Sequence, residues 1–144
     1  MRFKNFDYDK FPKAYVHGDM MSTNLMRDID GKIWLIDFSV SNYTERLNEI
    51  TVICDDVALI TGDKTESERR IKHSFELWCN KVGATDTEKD SFKMLFDVAN
   101  AINVMNSSYE KYTGNTSEET EMHLKAGLFG LTLFNNDIKQ QIER

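Results

Sequence analysis

The residues whose types and spacing could do chemistry lie in one short stretch. His17-Gly18-Asp19 is followed five residues later by Asn24, and an apolar run then ends in Asp37-Phe38-Ser39. Asp19 and Asp37 are carboxylates and Asn24 carries an amide oxygen, the kind of donor a hard divalent cation takes. Each also has a plain structural use. A carboxylate ending an apolar strand can cap a turn. A loop histidine such as His17 can lie buried, its ring hydrogen-bonded to backbone near the Asp37 turn, and this is the role expected of it rather than proton transfer. Asp37 stands thirteen residues beyond Asn24, so any joint action needs a chain path that folds back on itself.

The elements around these residues supply such a path. Segments 14–16, 24–27 and 32–37 read as strands, the last carrying Ile33-Trp34-Leu35-Ile36 without a charge. Asp28, Asp30 and Gly31 between the second and third are a hairpin signal, since glycine takes the positive φ of tight turns. After residue 45 the apolar spacing becomes helical. Ile50, Ile53, Val57 and Ile60 form one stripe, Ile71, Phe75, Trp78 and Val82 a second, and Phe92, Leu95, Phe96, Ala99, Ile102 and Met105 a third. A fourth helix, expected to pack centrally, runs from Leu124 through Phe134 and on through Ile138 and Ile142. Gly62 and Gly83 should end the first two helices, while Thr65, Thr85 or Asp86, and Ser117 should cap those that follow. Glu68, Glu88 and Glu121 fall near the first turns, where the helix dipole favours acid.

Composition narrows the functional classes. A chain of 144 residues with 40% apolar content and 11% aromatics fits one domain with a real core. Net charge of −6 and a pI near 5.1 have the wrong sign for a partner of nucleic acid. Cys54 and Cys79 form no C-x-x-C pair and suit a reducing cytoplasm rather than a disulfide scaffold or zinc ribbon. The longest nearly continuous apolar stretch, 126–134, is nine residues, too short to span a bilayer, and the N-terminus starts charged rather than apolar. A cytoplasmic protein with no membrane or nucleic-acid partner is expected.

The pattern of His17, Asp19, Asn24 and Asp37 resembles the kinase catalytic loop H-R-D-x-x-x-x-N and the strand that leads from it to D-F-G. With His-Gly-Asp in place of His-Arg-Asp, it resembles the aminoglycoside phosphotransferase and choline kinase superfamily, which is protein-kinase-like. The resemblance implies a small-molecule kinase that uses ATP and Mg²⁺ to phosphorylate an acceptor hydroxyl. It assigns Asp19 to the acceptor proton, and Asn24 and Asp37 to the metal that carries the nucleotide phosphates. His17 and Gly18 become supports. Glu49, or less readily Asp55 or Asp56, matches an early helix acid tied back to the catalytic loop; a solvated helix carboxylate is the plainer role.

The implied fold is α+β and mainly α: residues 1–144 as a single kinase-like C-lobe, with the loops in 14–39 and a helical substrate-side body in 45–144. Met21 replaces a polar residue common in the superfamily, and Ser39 replaces the glycine of D-F-G. The N-lobe, with its glycine-rich loop and lysine, has no counterpart before His17. Two explanations stand at this level, a fragment of a longer kinase or a shortened product, and in both the isolated chain is expected to be inactive. A catalytically silent module for ligand or protein binding is the alternative function, with a homodimer through bared apolar surface as one form. The acceptor is left open among aminoglycoside-, choline- and homoserine-like hydroxyl compounds. Glu118, Glu119, Glu121 and Asp137 could attract a cationic acceptor, and Trp78, Tyr109 and Tyr112 could box a quaternary ammonium. A solvated acidic face and a core tryptophan are the plainer roles.

Overall fold

Four short strands precede four helices in a computed structural model that describes residues 7–134. The order is β1 (Lys13–Val16), β2 (Leu25–Arg27), β3 (Ile33–Leu35), β4 (Asn42–Glu45), α1 (Leu47–Thr61), α2 (Lys64–Val82), α3 (Asp86–Tyr112) and α4 (Glu118–Gly130). The strands form two separate antiparallel pairs, β2 with β3 and β1 with β4. Asp28 closes the β2–β3 hairpin: one carboxylate oxygen accepts from the Lys32 amide at 2.8 Å, the other from the Trp34 indole at 2.8 Å. The turn signal in 28–31 is therefore real, with Gly31 at φ 83°.

Strand β4 is not evident in the sequence, where Asn42-Tyr43-Thr44-Glu45 has no apolar alternation. Its pairing with β1, from Val16 opposite Asn42 to Lys13 opposite Glu45, supplies what the side chains do not. The consequence is topological. The two strands pinch off everything from His17 to Ser41 as one closed excursion, and the hairpin lies inside it.

The helical body forms by burial. Leu47, Ile50, Cys54 and Ala58 of α1 meet Ile71 of α2, Phe92 and Phe96 of α3, Leu133 beyond α4, and Phe11 from the N-terminal side. Full burial of each large side chain stabilises the fold by roughly 1.5–3 kcal/mol. Gly62 and Gly83 end α1 and α2 in the left-handed conformation. Thr85 caps α3 in a reciprocal capping box with Glu88, and Ser117 caps α4. The cap of α2 is Asp63 rather than Thr65, its carboxylate accepting the Glu66 amide at 2.7 Å. With Gly62 already turning the chain, the next residue is the first that can cap, so α2 starts two residues earlier than its threonine suggests.

Three stripe residues depart from expectation, for Ile60, Ile102 and Met105 are exposed. Helix α3 has 27 residues, and α4 covers only one side of its far half. Helix α4 stops at Gly130 and the chain turns through Leu131–Phe134; the expected continuation through Ile138 and Ile142 lies outside the described residues. Helix α4 lies against α3 where it has no side chains. A Cβ on Gly127 would stand 2.8 Å from the Asn100 carbonyl, and one on Gly130 would collide with the Asn100 side chain. Among the described residues no helix is long and apolar enough to cross a membrane.

One side chain at the junction ties the strand region to α2 and α3. Arg46, between β4 and α1, forks onto the fully buried Glu88 at 2.8 and 2.9 Å and donates to the carbonyls of Val82 and Gly83. Burial alone would raise the Glu88 carboxyl, but the Arg46 and Thr85 donors prevail and hold it below its ordinary value.

Candidate functional site

The loop after β1 turns on Gly18. Its φ is +83°, and a Cβ there would stand 2.9 Å from the Val40 carbonyl oxygen. Both facts demand glycine, so the middle residue of His-Gly-Asp is set by backbone path. His17 is buried, and its Nε2 bonds the Ile36 carbonyl at 2.8 Å while its ring packs edge-on to Phe38 at 4.7 Å between centroids. The Asp19 amide approaches Nδ1 at 3.3 Å. The imidazole thus bridges the loop and the segment leading to Asp37, with both ring nitrogens engaged by backbone.

Asn24 ends a single 3-10 turn, Ser22–Asn24, and is buried. Its Nδ2 donates to the Asp19 carboxylate at 2.8 Å and to the Asp19 carbonyl at 2.9 Å. With the nitrogen end of the amide committed to Asp19, the oxygen end is the one available to a further partner. The Ile36 amide donates to the Asn24 carbonyl at 3.0 Å, continuing the hairpin ladder by one step. Asp37 therefore begins beside Asn24 and His17 despite its distance in sequence. It is exposed and sits at φ 59°, a left-handed conformation that aspartate tolerates better than most residues. The Ser39 hydroxyl and amide, and then the His17 ring, hold its carboxyl below the ordinary value, so it is ionised at neutral pH.

Helix α1 holds this loop from beneath at both ends. Glu49 accepts the His17 amide at 3.1 Å on one oxygen and the Gly18 amide at 3.0 Å on the other. Asp56, seven residues on, accepts the Ser22 amide at 3.0 Å and the Ser22 hydroxyl at 3.2 Å. Seven residues are two helical turns, so both carboxylates lie on one face. Asp55 points elsewhere. It takes the Nδ2 of buried Asn100 at 2.8 Å, and burial, opposed by that bond, pushes its carboxyl up to about 7.

Asp55 and Asp19 line a common cavity of about 350 Å³, whose remaining wall includes Met21, Val52, Leu59, Ile102 and Ala126. Ile102 is thus exposed to this hollow rather than left over from the core. His123 and Asn103 complete its far side. The acidic residues expected to draw a cation lie elsewhere: Glu121 pairs with Lys111 and Lys125, Glu118 lines a separate groove with Glu121, and Glu119 faces His123 at 3.8 Å. Asp137 lies outside the described residues. Among the described residues no Phe, Tyr or Trp lines the cavity beside Asp19. Trp78 stacks on Phe75 and receives Arg46 over its face, a packing role, while Tyr109 and Tyr112 project into solvent.

The reading from sequence offered Asp56 only as an alternative to Glu49, whereas both hold the loop, and it missed Asp55 as a cavity residue and His123 as its far wall. A signal for the double hold was present in the seven-residue spacing from Glu49 to Asp56. Nothing local marks His123, which reaches the site only through the packing of α4. Among the described residues no cluster of three or more His, Cys, Asp or Glu is placed to hold a metal. The available oxygen donors are instead the Asn24 amide and the Asp37 carboxylate.

No protein-family model matches the chain, and no curated protein matches it by sequence. Among solved structures it is similar to an ethanolamine kinase of Plasmodium vivax, with a TM-score of 0.52 and 17% identity over 85% of this chain. The match covers 33% of the kinase chain, so this chain spans about a third of the length of that neighbour. At this level of identity the likeness is one of fold: four helices and two small sheets arranged as in part of a kinase.

Proposed function

We propose that the chain is the C-lobe of a small-molecule kinase, which transfers the γ-phosphate of ATP to a hydroxyl of an acceptor bound beside Asp19. The observation that carries this reading is the 2.8 Å bond from the Asn24 amide to the Asp19 carboxylate, with the hairpin ladder delivering Asp37 next to Asn24. Asp19 is fixed by Asn24 at one carboxylate oxygen and keeps the other for the acceptor O–H, whose proton it takes as the oxygen attacks phosphorus and the bond to the departing ADP oxygen breaks. The Asn24 oxygen and ionised Asp37 fit Mg²⁺, which favours one or two protein oxygens with phosphates and water completing its shell. When bound, the ion neutralises charge on the phosphate oxygens. His17, Gly18 and Glu49 keep the loop in the shape that places Asp19.

The acceptor in this reading is an alcohol that also bears an ammonium group. A mainly apolar cavity with a second carboxylate, Asp55, suits a small organic cation with its hydroxyl at Asp19. Ethanolamine, the substrate class named for the structural neighbour, has this form.

ATP-binding parts come from a second lobe, which the proposal places in the same longer polypeptide, against the β2–β3 hairpin. Met26, Ile33, Trp34, Ile36 and Phe38 are all exposed there and offer apolar side chains for such a lobe to cover. The test is ATP-dependent turnover of ethanolamine, choline and homoserine by the protein extended to its upstream reading frame, with Asp19→Asn abolishing transfer and leaving the fold intact. Retained turnover in that variant overturns the assignment of Asp19. Nucleotide-independent binding without turnover in the extended protein would put the silent-module reading in its place, and a dimer that buries the hairpin would make a second copy its occupant.

A further inference from the structure

Two carboxylates set into the helical body are satisfied in opposite ways. Glu88 is met by the Arg46 guanidinium as well as by Thr85, so its charge is cancelled inside the fold. Asp55 is half-buried, and among the described residues no lysine or arginine pairs with it. Its partner is a neutral amide: Asn100 Nδ2 donates to Asp55 Oδ1 at 2.8 Å and also to the Phe96 carbonyl at 2.9 Å. Both hydrogens of that nitrogen are thereby engaged, which fixes the orientation of the amide.

Asn100 is a costly residue at its place. It is 2% exposed and stands one and two turns beyond Phe96 and Phe92, where the apolar stripe of α3 would continue. Helix α4 admits it by giving up two side chains. A Cβ on Gly130 would lie 1.8 Å from Asn100 Oδ1, and one on Gly127 would lie 2.8 Å from the Asn100 carbonyl oxygen. Neither glycine has a positive φ, so space rather than backbone conformation requires them. For stability alone, an apolar side chain at position 100 over two alanines would serve better. What the arrangement gains is the placement of Asp55, which lines the cavity it shares with Asp19.

We propose that Asn100 is a positioning residue for the acceptor cavity: its amide fixes one oxygen of Asp55 and leaves the other, with the carboxylate charge uncancelled, for an ammonium. Gly127 and Gly130 are the seat that makes room for it. This rests on the reading of the Asp19 cavity as the acceptor site. A cation in place of the amide would hold Asp55 as firmly and cancel the charge, as Arg46 does at Glu88. Without any donor, burial would favour the protonated acid, which attracts no ammonium.

The test follows choline binding to the 144-residue chain by calorimetry from about pH 5 to about pH 9, where the charge of this ligand is constant. NMR shifts of the Met21 and Ala126 methyls report the cavity. Asp19, Asp55 and His123 are the titratable groups among its lining residues, and Cys54 and Asp56 flank Asp55 on α1, so Asp55→Asn identifies which part of the pH profile belongs to Asp55. Asn100→Ala should move that part upward by about one pH unit, weakening binding about fivefold near pH 7 and hardly at all near pH 9. Asn100→Ala with Gly130→Ala refills the space left by the amide. It should recover thermal stability and keep the shifted profile, and it carries the test if the single variant does not fold. Loosened packing alone would instead weaken binding at every pH and be relieved by the second substitution. That pattern, a midpoint that does not move, or an Asn100→Ala effect that persists in Asp55→Asn overturns the role of Asn100 while leaving the acceptor site in place. Choline that shifts neither methyl in the folded wild-type chain overturns both.

Discussion

The region before residue 46 and the region after it are held together by different physics. The helices bury Leu47, Ile50, Ile71, Phe96 and Leu133 completely. The strands and loops bury little beyond Phe11, Val16, His17 and Asn24: β2 is exposed throughout and β3 nearly so. What keeps the loop from His17 to Asn24 in shape is a small set of directed bonds, from Glu49 and Asp56 below and from the His17 ring and the hairpin ladder above. A site built this way can have one contact altered without emptying a core. The helical body lacks that freedom, because close packing transmits a change of one side chain to its neighbours.

If the comparison holds, substitutions in the two regions should differ in kind. The largest loss of stability is expected in the body, where Phe96→Ala should cost about 3–5 kcal/mol by denaturant unfolding. Arg46→Ala should approach the same size, about 3–5 kcal/mol, because it strands the buried Glu88 carboxylate; Arg46→Ala with Glu88→Gln should recover much of it. A full-size effect that Glu88→Gln does not relieve would mean that Arg46 acts through its stacking on Trp78 instead.

Smaller and more local effects belong to the loop. Glu49→Gln should cost roughly 1–3 kcal/mol by loss of a charged acceptor from two backbone amides. Its signature is hydrogen exchange, faster at His17 and Gly18 and unchanged in α2 and α3. Asp56→Asn should do the same at Ser22. Uniform acceleration through the helices in either variant would erase the distinction between the regions.

Acid–base linkage offers a third probe. The Asp55 carboxyl is raised in the folded protein from its ordinary value to about 7, so between pH 4 and 7 the native state binds the extra proton. Stability from this group is fully present at the acid end of that window and is lost as pH rises through it, by up to a few kcal/mol. Asp55→Asn should flatten the slope in thermal unfolding measured across the window. For the acceptor proposed above, binding of its ammonium should strengthen as pH rises past 7 and Asp55 loses its proton; Asp19 and His123 share the cavity, and Asp55→Asn isolates the part of Asp55. The smallest change is at the surface, where Asp63→Ala should cost about 1 kcal/mol as a lost helix cap.

The division also explains what could be read from the chain alone. Helices α1 to α3 were legible because burial writes itself as three- and four-residue spacing, and glycines and hydroxyl caps mark their ends. The hairpin was legible through Asp28 and Gly31. Strand β4 was not, because its register is supplied by β1 rather than by its own side chains. The far end of the apolar stripe on α3 misleads for a related reason: Ile102 has the spacing of a core residue and lies at the wall of a hollow. Asp19, Asn24 and Asp37 could be picked out by type and spacing, and the structure brings Asn24 to Asp19 and the start of the Asp37 turn to Asn24. Asp55 and Asp56 are adjacent acids that sequence treats alike. One turns to the loop and the other to the cavity, a difference of about 100° around the helix that only packing reveals.

Gly18 carries a consequence for how such chains can vary. Because a side chain at this position would run into the Val40 carbonyl, the glycine and the tight path through residues 38–41 are one linked feature. A lineage that acquired a bulky residue at 18 would have to reroute that bend at the same time. Covariation between these two places, rather than either residue alone, is the mark by which descent of this loop can be traced.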